Sequence, residues 1–354
     1  MLSKLERKVV ILIPSLNPKI EFINYVQELI ENGFKKIIII NDGSKEECAP
    51  IFQKLESKKE CILITHEKNR GKGKSLKDGL QYFLQIEKDY LGIITADCDG
   101  QHLVKDVIKI AEKIENGADG LILGSRNFKE DNVPVKSSIG NNVTSTIFKV
   151  LYGEKISDTQ TGLRGIPLKY VTDFINISGD RYEYETSVLI DCISKKIKIE
   201  EIPITTVYID NNAETHFNPI KDSILIYWKI LKSFIKYSIV SILSFIIDII
   251  AFKIIVSNIK GGDSIIIATI LARIISSLVN YALNKKVVFK NDQKVSNTII
   301  KYYTLCITQM LASAFFVTLI YYVTMISETV IKIVVDAIIF MINFKVQRRW
   351  IFTD

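Results

Sequence analysis

Two carboxylates stand one residue apart in Asp97-Cys98-Asp99-Gly100-Gln101, directly after the apolar run 91–96. At the end of a strand both can face a cation that prefers oxygen. Mg2+ or Mn2+ held by Asp97, Asp99 and the Gln101 carbonyl keeps coordination positions open for diphosphate oxygens. Such a cation offsets the charge that builds on a departing diphosphate. The bland alternative is a polar loop with a helix cap; the buried strand before the motif and the motifs around it favour the metal. Asn41-Asp42-Gly43-Ser44 follows another buried run. Asp42 is suited to accept a hydrogen bond from a nucleobase or sugar while Gly43 lets the chain turn, and plain turn chemistry is the alternative.

Asn69-Arg70-Gly71-Lys72-Gly73-Lys74-Ser75 opens a helix and invites a phosphate-loop reading. It fails that pattern, because the first glycine of G-x-x-x-x-G-K-[ST] would fall at Lys68. Amides at a helix start still attract phosphate. Gly124-Ser125-Arg126 ends a further run, and Arg126 is a planar fork suited to phosphate. In Asp158-Thr159-Gln160-Thr161-Gly162-Leu163-Arg164, Asp158 and Arg164 either sit near a reacting centre or form a structural ion pair. Arg181-Tyr182-Glu183-Tyr184-Glu185 begins an amphipathic helix that either glutamate can cap. His66, His102 and His216 are scattered and make no metal set, and only His102 adjoins the carboxylates.

These residues need a frame. Apolar runs at 9–13, 36–40, 61–65, 91–96 and 120–123 alternate with helical patterns at 22–31, 46–57, 74–85 and 104–115. Alternation of this kind predicts an α/β domain with a mostly parallel, Rossmann-like sheet. Ligands in such sheets sit beyond the carboxyl ends of the strands, where the polar tails 14–17, 41–44, 97–101 and 124–126 fall. The formal net charge of +7 suits an acidic membrane surface or phosphate substrates. No basic stripe interleaved with aromatics favours nucleic acid. Five cysteines, Cys48, Cys61, Cys98, Cys192 and Cys306, show no CxxC spacing and read as reduced thiols in a cytosol-facing domain. Residues 1–10 lack the apolar core of a signal peptide, so the first domain is expected on the cytoplasmic side.

The second part of the chain changes character. Ile220, Ile224, Tyr227, Trp228, Leu231 and Phe234 can share one helical side, with lysines around it. That pattern reads as an interfacial helix over 218–233, or else as an amphipathic helix on the soluble core. Four apolar segments follow at 234–256, 264–283, 302–323 and 330–344, against roughly 20 residues for a spanning helix. Lysine and arginine crowd the connection 285–301 and the stretch 345–349, whereas 257–263 and 324–332 carry few. Positive residues stay inside, so both termini are expected in the cytoplasm. The segment 280–289 repeats at 343–352 as Asn–aromatic, amide–basic–basic and a closing Phe, which suggests two related helix pairs.

Taken together, residues 8 to 217 resemble family 2 glycosyltransferases with a GT-A fold, nearest to dolichol-phosphate mannosyltransferase-like enzymes. Residues 201–208 and 215–219 add to the likeness. The membrane half resembles the GtrA family of small four-helix proteins linked to polyprenyl-phosphate sugars. The implied domains are a GT-A domain over 1–217, the interfacial helix, and a GtrA-like four-helix domain over 234–354. The resemblance implies Asp97, Asp99 and Gln101 at a Mg2+ or Mn2+ ion, and Pro14, Asn17, Asp42, Lys72 and Asp97 on the nucleotide sugar. Arg126, Lys136, Asp158 and Arg164 fall on the acceptor phosphate, and Asp97, Asp99 and Arg126 carry catalysis. Family members often read Pro-x-Tyr-Asn-Glu at the first strand end, where this chain has Leu16 and Pro18; after the acceptor-loop proline it keeps Lys136, then Ser137 and Ser138. Gln347-Arg348-Arg349-Trp350 is one residue short of the Gln-x-x-Arg-Trp of processive synthases.

The expected reaction is transfer of a single hexose from a UDP- or GDP-sugar to polyprenyl phosphate in the cytoplasmic membrane, with inversion to a β-linked product. A lipid-linked sugar translocase or scaffold with an inactive transferase half stays open, as does a transferase to a non-lipid glycan. The bilayer is a partner, nucleic acid is not, and a homo-oligomer is compatible with these segments.

Overall fold

The computed structural model describes residues 6–128, 130, 133–207, 218, 220–259 and 264–352, and of Lys136 only the backbone. The Lys136 side chain, His216, and residues 208–217, 219 and 260–263 therefore lie outside the described residues. The chain divides into two compact units, Met1–Lys149 with Glu154–Ile230, and Val150–Gly153 with Leu231–Asp354.

In the first unit the aliphatic runs become β1 (Val9–Ser15), β2 (Ile37–Asn41), β3 (Cys61–Thr65), β4 (Gly92–Thr95) and β5 (Leu121–Ser125). Between them lie α1 (Glu21–Glu31), α2 (Ala49–Glu56), α3 (Lys72–Ile86) and α4 (Val104–Glu115). After β5 come α5 (Val135–Tyr152), β6 (Arg164–Pro167), α6 (Leu168–Ile175), α7 (Glu183–Ser194) and β7 (Ile199–Pro203). The sheet order is β3-β2-β1-β4-β6-β5-β7. All described pairings are parallel except those of β6, which runs antiparallel to both β4 and β5.

Side chains alternate across a strand. Val9, Ile11 and Ile13 of β1 join Val26 and Leu29 of α1 and Val107, Ile110 and Ile114 of α4 in one core, while Leu12 meets Gly79 of α3 on the other face. β1 has β2 on one side and β4 on the other. The sheet therefore opens a crevice beyond the carboxyl ends of β1 and β4, where open parallel sheets bind ligands. β6, α6 and β7 were not expected. Arg164-Gly165-Ile166-Pro167 has one aliphatic side chain and no alternation, and it becomes a strand because it fits between β4 and β5.

The helix α8 (Lys221–Asn258) runs unbroken for 38 residues, with no glycine or proline to separate an interfacial piece from a first span. Within the first unit its start is held by the Asn218 side chain, which accepts the Ile220 and Lys221 N–H groups, and by Arg181 pairing with Asp222 at 2.9 Å. The apolar side expected to be shared is divided. Ile220, Ile224 and Trp228 are exposed, whereas Tyr227 meets the Thr144 hydroxyl at 3.3 Å, and Ile226 and Ile230 are buried.

The second unit continues with α9 (Ser264–Leu283), α10 (Val295–Thr324) and α11 (Glu328–Val346). Among the described residues three helices are long and apolar enough to cross a membrane: Lys221–Asn258, Ser264–Val288 and Val295–Thr324. α11, with 19 residues, carries Glu328, Lys332, Asp336 and Lys345 and is not among them. Each copy of the repeated motif ends in a π-helical turn, Asn284–Val288 and Gln347–Ile351. The Phe289 N–H donates to the Asn284 carbonyl at 2.9 Å, and Phe352 donates to Gln347 at 2.8 Å. Phe289 and Phe352 stack at 5.2 Å. Aromatic contacts then cross between the copies, Tyr281 to Phe352 and Phe344 to Phe289, each at 5.8 Å.

One buried charge ties the far edge of the first unit to its middle. Asp106, at the start of α4, accepts the Thr205 N–H at 2.9 Å just past β7 and meets Lys109 at 2.6 Å. Burial works to raise its pKa, but the bonds from Lys109 and Thr205 outweigh this and hold the carboxyl below the ordinary aspartate range. A carboxyl depressed in the folded state stabilises above its unfolded pKa of ~3.9 and loses that contribution as pH falls through the lower folded value. Asp106→Asn is expected to lower the urea midpoint at pH 7, with the deficit shrinking as pH drops below about 3. Urea titrations of both proteins at both pH values check this, and an equal deficit at the two would count against it.

Candidate active site

Asp97, Cys98 and Asp99 follow β4 into the crevice beside β1. Asp97 is half-buried and Asp99 exposed. Lys72, the first residue of α3, places its Nζ 2.7 Å from Asp97 Oδ1 and 3.3 Å from Glu185 Oε1 on α7. Burial acts to raise the Asp97 pKa, but Lys72 first, then His102 and Arg126, overcome it and hold the carboxyl at about 2. Lys72 is affected in the opposite sense: burial lowers its pKa, and Asp97 and Glu185 more than offset that, so it stays charged. The Asp99 pKa is pushed up, first by lost hydration among its neighbours, open as its surface is, and then by the Asp97 charge.

The position of Lys72 is built from further back. Asp42 is buried and accepts the Arg70 and Gly71 N–H groups, both at 2.8 Å, while His66 Nδ1 lies 2.7 Å from it. The carboxylate thus anchors the loop that leads into α3. Gly71 has φ +98, and a Cβ there would stand 2.3 Å from the Asp180 carbonyl oxygen, so only glycine lets this loop lie against the segment before α7. Asn17, at φ +48, donates its N–H to Ser44 Oγ and accepts the Lys45 N–H, both at 2.9 Å, which ties the end of β1 to the Asn41–Ser44 turn. Pro14 lies inside β1, buried and in register with Ile40.

Arg126 and Asp158 form a fork. Nε lies 2.7 Å from Oδ2 and Nη2 lies 3.1 Å from Oδ1, on an Asp158 with no exposure. Glu201 holds the same loop by accepting the Ser157 and Asp158 N–H groups. Arg164 goes elsewhere, donating to the Glu185 carbonyl at 2.8 Å and the Thr161 carbonyl at 2.9 Å. The structure therefore does not bring Asp158 and Arg164 together as a pair. It gives Asp158 to Arg126, and sets Arg164 behind Glu185, within 4.0 Å of its Oε1.

Sequence reasoning missed three contributors. In the sequence Glu185 stands where a helix cap would. His66 was set aside, yet it lies buried between Asp42 and Asp78, with Nε2 3.1 Å from the latter. Gly162 backs onto Asp97, and a Cβ there would sit 2.3 Å from Asp97 Oδ2. A glycine between Thr161 and Leu163 in a polar run was the one available signal.

A divalent cation fits the donor set. Among the described residues no three His, Cys, Asp or Glu side chains converge. Asp97 and Asp99 stand one residue apart just past β4, and Asp99 makes no ion pair among those residues. A cation that takes its remaining ligands from phosphate and water suits such a pair. Gln101 lies in the following turn, where its N–H donates to Asp99 Oδ1 at 3.0 Å.

Residues 10–172 match glycosyl transferase family 2, and residues 236–352 match the GtrA/DPMS transmembrane domain. The UDP-N-acetylglucosamine–dolichyl-phosphate N-acetylglucosaminyltransferase of Methanococcus voltae is 31% identical over 224 residues, covering 58% of this chain and 88% of the relative. This chain belongs to glycosyl transferase family 2. The transferase also resembles the dolichyl-phosphate beta-glucosyltransferase of Saccharomyces cerevisiae, 29% identical over 202 residues, with 50% of this chain and 58% of that one covered. A crystal structure of a mycobacterial protein, 14% identical, superposes with a TM-score of 0.50 over 65% of this chain and 75% of its own. The seven-stranded, mostly parallel sheet is the GT-A fold, followed by a helical region with, among the described residues, three apolar helices of membrane length.

Gly162 offers a test of how closely Asp97 must be placed. Gly162→Ala forces the carboxylate to move, and a misplacement of this size is expected to cost about 10²-fold in glycosyl transfer. Radiolabelled transfer by the purified variant, with circular dichroism to show retained fold, measures it. Wild-type transfer would mean that the position of Asp97 is not critical.

Proposed function

We propose that this transferase moves one hexose from a UDP- or GDP-sugar to a polyprenyl phosphate such as dolichyl phosphate, inverting the anomeric centre to give a β-linked lipid sugar. The observation that carries the reading is the carboxylate pair ringed by Lys72 and Arg126 at the β1–β4 crevice, on a chain that also holds membrane-length helices. The dolichyl-phosphate acceptors named for both relatives support it.

A phosphate monoester oxygen is already anionic near neutral pH, so it needs no strong base. It attacks the anomeric carbon, the carbon–oxygen bond to the diphosphate breaks, and the nucleoside diphosphate leaves with the electron pair. Catalysis then reduces to positioning and charge stabilisation. Asp97 and Asp99, with Gln101 beside them, would hold Mg2+ or Mn2+, which supplies Lewis-acid neutralisation of the leaving group. Asn17, Asp42 and Lys72 frame the donor side, Asp42 through the loop it anchors, and Pro14 shapes the strand end beneath them. Arg126, oriented by Asp158, faces the acceptor phosphate, with Arg164 supporting Glu185 and Lys136 completing the charge.

Membranes holding the protein, mixed with polyprenyl phosphate and a panel of labelled nucleotide sugars, provide the assay. Product should appear in the lipid phase for one donor, disappear with EDTA and return with added metal. Asp99→Asn should fall by about 100-fold or more with the fold kept, and Arg126→Ala should raise the KM for lipid more than that for donor. Lipid-free products, or full activity of Asp99→Asn in chelator, would sink the reading.

The domain limits and orientation follow from the same proposal: a catalytic part over 1–217 and four helices in two pairs after it, in the cytoplasmic membrane with both termini cytoplasmic. The basic stretches 285–301 and 345–349 support this. In a variant free of the five native cysteines, a cysteine at Ser327 should react with an impermeant maleimide added to intact cells, and one at Asp292 should not. The reverse pattern would invert the topology.

A further inference from the structure

We propose that Lys72 is a resident counter-cation for Asp97, which a divalent ion must displace, so that metal and nucleoside diphosphate bind the free transferase as a coupled pair. This rests on the donor-site reading above. The ammonium lies 2.7 Å from Asp97 Oδ1, on one of the carboxylate oxygens that an incoming cation would use. With Lys72 in place, the Asp97 and Asp99 pair presents one net negative charge instead of two, and a dication approaching it meets a like charge at close range. Such repulsion is strong where water is scarce.

The surroundings make the displacement possible. The backbone of Lys72 is fixed: Asp42 holds the Arg70 and Gly71 amides, and the Lys74 N–H donates to the Asp180 carbonyl at 2.9 Å. Its ammonium meets side chains, Asp97 and Glu185 and, at 5.8 Å, the Tyr182 ring. A second carboxylate, Glu185, stands 3.3 Å from the same Nζ and is itself 93% buried on α7. Lys72 therefore has a place to go when Asp97 is taken. A diphosphate adds a third partner, because its oxygens accept from a lysine ammonium readily. The same lysine opposes metal alone and favours metal with diphosphate. Coupling of this kind is reciprocal: whatever nucleotide does for metal affinity, metal does for nucleotide affinity.

The test is direct binding to the detergent-solubilised full chain, with Mn2+ followed by electron paramagnetic resonance and UDP or GDP by calorimetry. In the wild type, saturating nucleoside diphosphate is expected to tighten Mn2+ binding by about 10-fold or more. Lys72→Met should bind Mn2+ alone more tightly than wild type and lose most of that coupling. Glu185→Gln should act in the opposite direction on Mn2+ alone, because Lys72 is then left with Asp97 as its partner. Unchanged or weaker Mn2+ binding by Lys72→Met, with coupling intact, overturns the proposal. If Lys72→Met does not fold, equal or tighter Mn2+ binding by Glu185→Gln overturns it instead. A wild type that binds neither Mn2+ nor nucleotide overturns the donor-site reading itself, and the role of Lys72 with it.

Discussion

Carboxylates placed one residue apart repel one another, and the first unit is arranged around that repulsion at the end of β4. Two like charges about 4 Å apart near a protein surface oppose each other by about 4 kcal/mol. A site that keeps both ionised needs positive charge close by, held where it cannot drift. Lys72 supplies it from the first residue of α3, and its place there depends on Asp42, on the loop 68–71 and on a glycine that can lie against Asp180. His102 fixes the backbone beside them, its Nδ1 accepting the Asp97 N–H at 3.0 Å. Arg126 adds to the field, fixed in turn by the buried Asp158. Motifs far apart in the chain are thus parts of one electrostatic arrangement.

The second unit answers a different constraint, that polar groups among apolar helices must find one another. The Asn280 amide donates to Ser244 Oγ at 3.0 Å, and the Asn343 amide donates to the Gln309 side chain. Asp248 is met by Ser276 at 2.8 Å and Arg273 at 3.4 Å. Asp336 is met by Ser313 at 2.6 Å and Lys332 at 2.8 Å. Each helix pair thus carries an amide contact near its motif and a carboxylate with hydroxyl and cation partners further along. Charged groups in membrane segments are costly unless paired in this way. The basic pairs at 285–286 and 348–349 follow at the π-helical turns, where a spanning helix would reach the headgroups.

Much of this was legible in the sequence, for physical reasons that also mark the limit. Buried parallel strands demand continuous aliphatic runs, so β1 to β5 stand out, and the polar tails that follow them locate the crevice. β6 gave no such signal, because Arg164 and Gly165 sit in the sheet for what they touch and not for their hydrophobicity. Asp97 and Asp99 were visible as a local pattern. Glu185 was not recognised, since its meaning depends on Lys72 more than a hundred residues away. An Asp158–Arg164 ion pair was the bland alternative for that loop, but sequence does not fix which way two side chains point, and Asp158 takes Arg126 instead. The interfacial stretch and the first apolar segment differ in composition but share one helix, because no glycine or proline between Lys221 and Asn258 stops it.

The histidines bear on what kind of acceptor the site can serve. A sugar or protein hydroxyl must lose a proton as it attacks, and a base with a pKa near neutrality usually takes it. Within the described residues neither histidine is placed for that work. His66 is buried between Asp42 and Asp78, and His102 spends Nδ1 on the Asp97 backbone. Asp97 is held far below neutrality by its neighbours and makes a poor base. A phosphate oxygen asks for none of this, since it arrives ionised and needs only to be gripped and aimed. The cationic character of Lys72 and Arg126, beside histidines committed elsewhere, therefore suits a phosphate nucleophile.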